Sequence, residues 1–215
     1  MQFLGWTRRH FIAAGLAGAY AGLAPAAAAP VVLVVGDSMS AEYGIRRGTG
    51  WVALLDQRLQ REKVPARVVN ASISGDTTSG GRARLPALLQ QHRPSLVVIE
   101  LGGNDALRGL PLQMTEDNLA QMTQSAQKAG ARVLLVGMQV PPNYGTDYGN
   151  RFAALFAKVA KQQRAALVPF LLDGVADGPD PLRLFQPDRI HPKEEAHPRM
   201  LDNVWPELKK MLPRP

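Results

Sequence analysis

The chain of 215 residues contains no cysteine. It can therefore hold no disulfide and offers no thiol nucleophile, although an oxidising compartment would do it no harm. Its formal net charge is +7, yet the basic residues are spread out, with no block of five or six. Nucleic acid is not an expected partner, and attraction to an anionic lipid surface is expected to be transient at most. No apolar run suits a permanent membrane span, because the stretch from Phe11 to Leu23 is short and rich in Ala and Gly. Internal repeats and dividing linkers are absent as well.

What the first residues do contain is a layered pattern. A basic start, an apolar stretch and the small-residue run Ala24-Pro25-Ala26-Ala27-Ala28-Ala29 follow one another over residues 1–29. That is the three-part layout of an export signal, and Thr7-Arg8-Arg9-His10-Phe11-Ile12 resembles a twin-arginine one. The expected mature protein is a single domain over residues 30–215, periplasmic or secreted, and monomeric. Without Arg8 and Arg9 the net charge falls from +7 to +5.

Beyond residue 30, strand-like and helix-like segments alternate. Val31–Val35, Ala66–Asn70, Leu96–Leu101, Arg132–Gly137 and Ala166–Phe170 read as five strands. Between them, Trp51, Leu55 and Leu59 mark one amphipathic helix, and Leu85, Leu88 and Leu89 a second. Thr115 reads as the cap of a third, and Phe152, Leu155, Phe156 and Val159 mark a fourth. A last helix is expected from about Lys193 to Met211, kinked or broken at Pro206. Apolar strands separated by helices imply a five-stranded parallel sheet in a three-layer α/β/α domain.

In such a sheet the carboxyl ends of all strands open on one side, where ligands bind. The residues just past those ends are polar and glycine-rich. They are Gly36-Asp37-Ser38, Asn70-Ala71-Ser72-Ile73-Ser74-Gly75-Asp76, Gly102-Gly103-Asn104-Asp105 and Met138–Tyr144. Asp188-Arg189-Ile190-His191 arrives just before the final helix. Three residues apart, Asp188 can hold the Nδ1–H of His191 and leave Nε2 to take a proton from Ser38, the relay of a serine hydrolase. The N–H groups of Ser38 and Gly75 and the amide of Asn104 can then donate to a developing oxyanion. Asp37, Asp76 and Asp105 read as turn-holding residues, His92 as a packing residue, and His197 as the weaker rival to His191.

Together these four ordered blocks resemble those of the GDSL/SGNH hydrolases over essentially the whole mature chain. Ala71–Thr77, Arg84–Leu89 and Leu101–Gly109 are more closely similar to the bacterial thioesterase I/protease I/lysophospholipase group. The resemblance implies a flavodoxin-like sheet of order 2-1-3-4-5 and no metal or organic cofactor. It makes Ser38 the nucleophile, His191 the base and Asp188 its orienter, with Gly75 and Asn104 completing the oxyanion hole. Met39 departs from the usual Leu of the first block, a change of packing rather than chemistry.

The expected activity is hydrolysis of acyl esters and thioesters through an acyl-enzyme. Leu107, Leu110, Pro141 and Tyr144 are the expected contacts for a small-molecule or lipid acyl ester. Two other readings stand beside it. One is a metal-dependent phosphoesterase using Asp37, Asp76, Asp105 and His191 as hard ligands. The other is a non-catalytic periplasmic domain that binds lipid or carbohydrate.

Overall fold

The computed structural model describes residues 29–178, 180 and 182–213. The export-signal reading of residues 1–29 thus lies outside the described residues, save for Ala29. Five strands form one sheet: β1 (Val31–Gly36), β2 (Arg67–Asn70), β3 (Leu96–Glu100), β4 (Arg132–Val136) and β5 (Ala166–Val168). Their order is β2-β1-β3-β4-β5 with every pairing parallel, as expected. β1 and β3 run without a polar break until Glu100, and all their residues are buried. A strand covered on both faces requires such a sequence. The edge strands are short, and β2 begins at the exposed Arg67, which limits pairing with other chains.

Among the described residues six α-helices cover the sheet: α1 (Trp51–Arg61), α2 (Thr78–His92), α3 (Gly103–Leu107), α4 (Leu112–Lys128), α5 (Thr146–Gln163) and α6 (His197–Lys210). α1 packs against α6, while α2 packs on α4 and α4 on α5, giving two helical layers. Trp51, Leu55 and Leu59 of α1 and Val204 and Leu208 of α6 are buried at spacings of four. The remaining core is Leu33, Val98, Leu134, Met122 and Phe156 with their neighbours. Each such side chain contributes about 1.5–3 kcal/mol on burial.

Three local expectations are corrected. Thr115 does not cap α4, which starts at Leu112 after Pro111. Proline's fixed φ suits a helix entrance, and Thr115 instead lies buried with its hydroxyl toward Asp105. The last helix begins at His197, after a short 3₁₀ turn at Glu194–Ala196, rather than at Lys193. It also continues through Pro206 without a break. Pro206 faces solvent, so water can satisfy the carbonyl one turn earlier, and the buried Trp205 and Leu208 hold the helix on either side.

His197 solves a problem that the sequence does not reveal. Gly50 enters α1 without a side-chain cap, and the first N–H of the helix, that of Trp51, donates to Nδ1 of His197 (3.1 Å). An acceptor from α6 therefore caps α1 and ties the two helices together. Burial drives the His197 imidazole down to about 4, with Glu42 and Glu194 opposing the shift. The ring is neutral, as an acceptor must be.

Candidate active site

The strand order reverses between β1 and β3, and the crevice at the carboxyl end of that junction holds the polar blocks. After β1 the chain turns at once: the N–H groups of Ser40 and Ala41 both donate to the carbonyl of Asp37 (3.2 and 3.0 Å). Gly36 makes the turn possible, because a Cβ there would lie 2.7 Å from Ser40 Oγ and 2.8 Å from Glu100 Oε2. Ser38 thus stands at the mouth of the crevice.

Its hydroxyl lies 2.8 Å from Nε2 of His191, and Nδ1 of that ring lies 2.6 Å from Oδ2 of Asp188. Asp188 organises its own turn. Its Oδ1 accepts from the N–H groups of Ile190 and His191 (3.0 Å each), and Arg189 between them takes a left-handed φ of 59°. Desolvation pushes the Asp188 carboxyl up, but those N–H groups and the imidazole outweigh it and hold the group below its ordinary value. An ionised carboxylate can only accept, so the ring proton sits on Nδ1 and Nε2 is free to accept from Ser38.

Gly75 and Asn104 complete the crevice from the neighbouring loops. Gly75 adopts φ +79°, a conformation that favours glycine, and its carbonyl accepts from Arg108 (2.8 Å). Among the described residues no acceptor is found for the N–H of Ser38 or of Gly75. Asn104, in the first turn of α3, donates one amide hydrogen to Oδ2 of Asp37 (3.0 Å) and keeps the other available.

Asp37 therefore does more than shape the turn. One oxygen accepts from Met39 N–H (3.0 Å), as the sequence led us to expect, while the other orients Asn104. Burial pushes its carboxyl up to about 6, against the pull of those two donors. Beneath it lies Glu100, missed by sequence reasoning because it ends an apolar strand. Its Oε2 accepts from Ser40 Oγ (2.7 Å), and that hydroxyl accepts from the indole N–H of Trp51 (3.2 Å). Burial, and then the charge of Asp37, hold Glu100 well above the usual carboxylate range. The two carboxyls thus form a buried pair under the turn that carries Ser38, where burial and mutual repulsion disfavour the charged form of Glu100.

Two further residues escaped the sequence. The ring of Tyr43 packs on His191 with centroids 4.3 Å apart. Gln186 ties the two loops together, its amide donating to the carbonyls of Tyr43 (2.9 Å) and Pro192 (3.0 Å). The two contacts to Tyr43 join residues more than 140 positions apart, so no local pattern could have signalled them.

Asp76 and Asp105 are structural. Asp76 pairs with Arg84 (2.8 Å), and Asp105 accepts from the N–H of Thr78 (2.9 Å) and from its hydroxyl. With their oxygens so engaged, these carboxylates and Asp37 do not converge as ligands. Among the described residues no group of three or more His, Cys, Asp or Glu is placed to hold a metal ion.

The expected substrate contacts divide. Leu110 lines a cleft of about 700 Å³ together with Pro111, Tyr148 and Leu155. Leu107 (41% exposed), Pro141 and Tyr144 do not line it, and neither does Ser38, Asp188 or His191. This cleft is therefore separate from the Ser38–His191–Asp188 contacts. Tyr144 instead stacks on Tyr148 (6.2 Å) at the entrance to α5.

Comparison with known proteins extends over the same region. Residues 34–199 match the model of the GDSL-like lipase/acylhydrolase family. The chain is 55% identical over 186 residues to the esterase TesA of Pseudomonas aeruginosa, covering 86% of this chain and 91% of that one. It is 43% identical to the thioesterase 1/protease 1/lysophospholipase L1 of Escherichia coli K12, covering 87% of each. Among solved structures, that of TesA superposes with a TM-score of 0.81 at 54% identity, covering 85% of this chain and 99% of the other.

Proposed function

The chain belongs to the GDSL-like lipase/acylhydrolase family and is an ester hydrolase, and from that premise we propose that it works through a Ser38–His191–Asp188 relay and an acyl-enzyme. The observation that carries this reading is the unbroken chain of contacts from Ser38 Oγ to His191 (2.8 Å) and on to Asp188 (2.6 Å). Ser38 Oγ attacks the acyl carbonyl as its proton passes to Nε2. The charge that develops on the carbonyl oxygen meets the N–H groups of Ser38 and Gly75 and the free amide hydrogen of Asn104. The C–O or C–S bond then breaks, and the alcohol or thiol leaves with the proton from Nε2. Water repeats the sequence on the acyl-enzyme, giving up its proton to Nε2, and Ser38 takes that proton back as the acid is released.

The preferred substrates are acyl esters of the lysophospholipid and aryl or alkyl ester type, with thioesters also cleaved. The amino-terminal export pattern supports esters over acyl-CoA as the working substrate, since acyl-CoA belongs to the cytoplasm. Leu107 and Leu110, on the segment that follows Asn104, are the proposed acyl contacts. No metal and no organic cofactor enters the scheme.

A fluorophosphonate probe tests the relay. It should label Ser38 in the parent and fail to label His191→Ala; labelling at another residue would overturn it. Turnover of p-nitrophenyl esters of graded length, an acyl-CoA and a lysophospholipid then ranks the substrates. Hydrolysis of none of them would return the chain to the binding-domain reading.

A further inference from the structure

His191 can serve as the base only while its ring stands where Nε2 meets the reacting oxygen. The residues that carry it form a narrow hairpin. The N–H of Lys193 donates to the carbonyl of Leu184 (2.7 Å), Phe185 bridges to Pro192, and the N–H of Gln186 donates to the carbonyl of His191 (2.8 Å). The N–H of Arg189 closes the turn on the carbonyl of Gln186 (2.9 Å). Phe185 and Pro192 bury the stem, but Pro187, Asp188, Arg189 and Ile190 at the tip are exposed. A two-stranded ribbon this short does not hold its position by its own pairing.

Among the described residues, two hydrogen bonds tie residues 184–193 to residues 37–45, the chain just past β1. One is the reactive contact between His191 Nε2 and Ser38 Oγ (2.8 Å). The other runs from the side-chain amide of Gln186 to the carbonyl of Tyr43 (2.9 Å), and the same amide donates to the carbonyl of Pro192 (3.0 Å). One amide thus joins both arms of the hairpin to the loop that follows Ser38. Gly44 admits the approach, since a Cβ there would lie 2.1 Å from Gln186 Oε1. Tyr43, its backbone held in this way, lays its ring on the imidazole, with centroids 4.3 Å apart and planes tilted by 40°.

The reactive contact is lost halfway through the reaction. As Ser38 Oγ bonds to the acyl carbon its proton passes to Nε2, and the alcohol carries that proton away as its own bond to carbon breaks. In the acyl-enzyme Oγ is esterified and has no proton to donate. The ring then keeps its Nδ1–H bond to Asp188 (2.6 Å), which fixes one point and leaves the imidazole free to swing about it. Deacylation still needs Nε2 to take a proton from water as the water oxygen bonds to the acyl carbon. Nε2 must then return that proton to Oγ as the Oγ–C bond breaks. What limits the swing is the Tyr43 ring, on a loop anchored by Gln186.

We propose that Gln186 and Tyr43 are positioning residues for deacylation, holding the His191 imidazole in register while Ser38 is acylated and cannot. This role rests on the relay and acyl-enzyme reading, and gives the two residues one step of it rather than a share in all.

Stopped-flow hydrolysis of p-nitrophenyl butyrate by the full chain separates the steps. The burst of p-nitrophenol reports acylation, the steady state after it reports deacylation, and intact-mass spectrometry of quenched samples measures the acyl-enzyme. Gln186→Ala and Tyr43→Ala should each slow deacylation about tenfold or more, as for a base out of register, while acylation falls by less than about threefold. kcat and KM then fall together, kcat/KM is nearly kept, and the acyl-enzyme accumulates. Tyr43→Phe, which keeps the ring, should return deacylation to within about threefold of the parent.

Equal slowing of both steps would make the pair general scaffolding and overturn the proposal. So would unchanged deacylation in both alanine variants, or Tyr43→Phe no better than Tyr43→Ala. Melting temperature identifies a variant that fails to fold, and the half-exposed Tyr43 supplies the test if Gln186→Ala does so. Fluorophosphonate labelling keeps the two readings apart. Labelling of Ser38 in the parent without a selective loss of deacylation in the variants defeats this role and leaves the relay standing. No labelling of Ser38, or no acyl-enzyme in parent and variants alike, defeats the relay reading and this role with it.

Discussion

The two ends of the sheet share the same strands and the same interior, yet they are built for opposite purposes. Helices arrive at the amino end of the sheet by their carboxyl termini. There the chain turns tightly, with left-handed backbone at Lys63, Arg93, Gly130 and Arg164. The cations at those turns sit beside the partial negative charge of helix ends, so they are accounted for without a ligand. Among the described residues no large apolar side chain is exposed there, and Val64, Pro94 and Ala131 are buried. At the carboxyl end, helices α2, α3 and α4 present their amino termini, where N–H groups and positive potential favour a developing anion. That end holds Ser38, Gly75, Asn104, Asp188 and His191. A parallel α/β sheet is thus polar as an object: one end closes the core, and the other offers the chemistry.

If this division is real, function and stability should be separable by substitution. Asp188→Asn keeps the shape of the turn but reverses the preferred tautomer of His191. It should lower kcat by ~10³–10⁴-fold with little change in melting temperature, measured by ester turnover and thermal unfolding. Asn104→Ala removes one oxyanion donor and should cost ~10²–10³-fold in kcat, with KM moving far less. A matched loss in KM instead would make Asn104 a ground-state contact.

The converse substitution lies in the core. Leu134, fully buried in β4 between Val98 and Ala166, should cost ~3 kcal/mol of stability as Leu134→Ala. The folded fraction should keep nearly the parent's kcat/KM; a large fall would show that the carboxyl end depends on core packing more than the comparison allows.

A further effect lies in pH dependence. Unfolded His197 takes a proton near 6.5, while the folded ring does so only at about 4. Its contribution is therefore complete above 6.5 and lost as pH falls toward 4, by up to ~3 kcal/mol. Asp37, raised to about 6, works in the other direction, losing stability as pH rises from about 4 to 6. The informative quantity is thus the difference between the parent and His197→Gln across that window. An identical slope in denaturant unfolding would mean that His197 is not held neutral.

How much of this was readable in advance depends on whether the signal was local. The five strands, the turn at Gly36-Asp37-Ser38 and the pairing of Asp188 with His191 depend on residues a few positions apart, and those readings match the geometry; the strand order was implied by the family resemblance and by no local pattern. Thr115 was misread because a local rule, helix capping, met a tertiary context that overrode it, and of the kink or break expected at Pro206 the break is absent. Glu100 hid inside an apolar strand. Its buried carboxyl makes sense only once Asp37 and Ser40 have been brought beneath the same turn.

The sequence by itself determined that the chain is an α/β protein with its polar, glycine-rich blocks past the strand ends, because periodicity and turn chemistry act over a handful of residues. Only the tertiary structure decided that Asp37 aims Asn104, that His197 caps α1 and that Tyr43 lies on His191. Those facts join residues 67 to 148 positions apart. Proximity over such distances is set by how the helices pack on the sheet, which no neighbouring residues record.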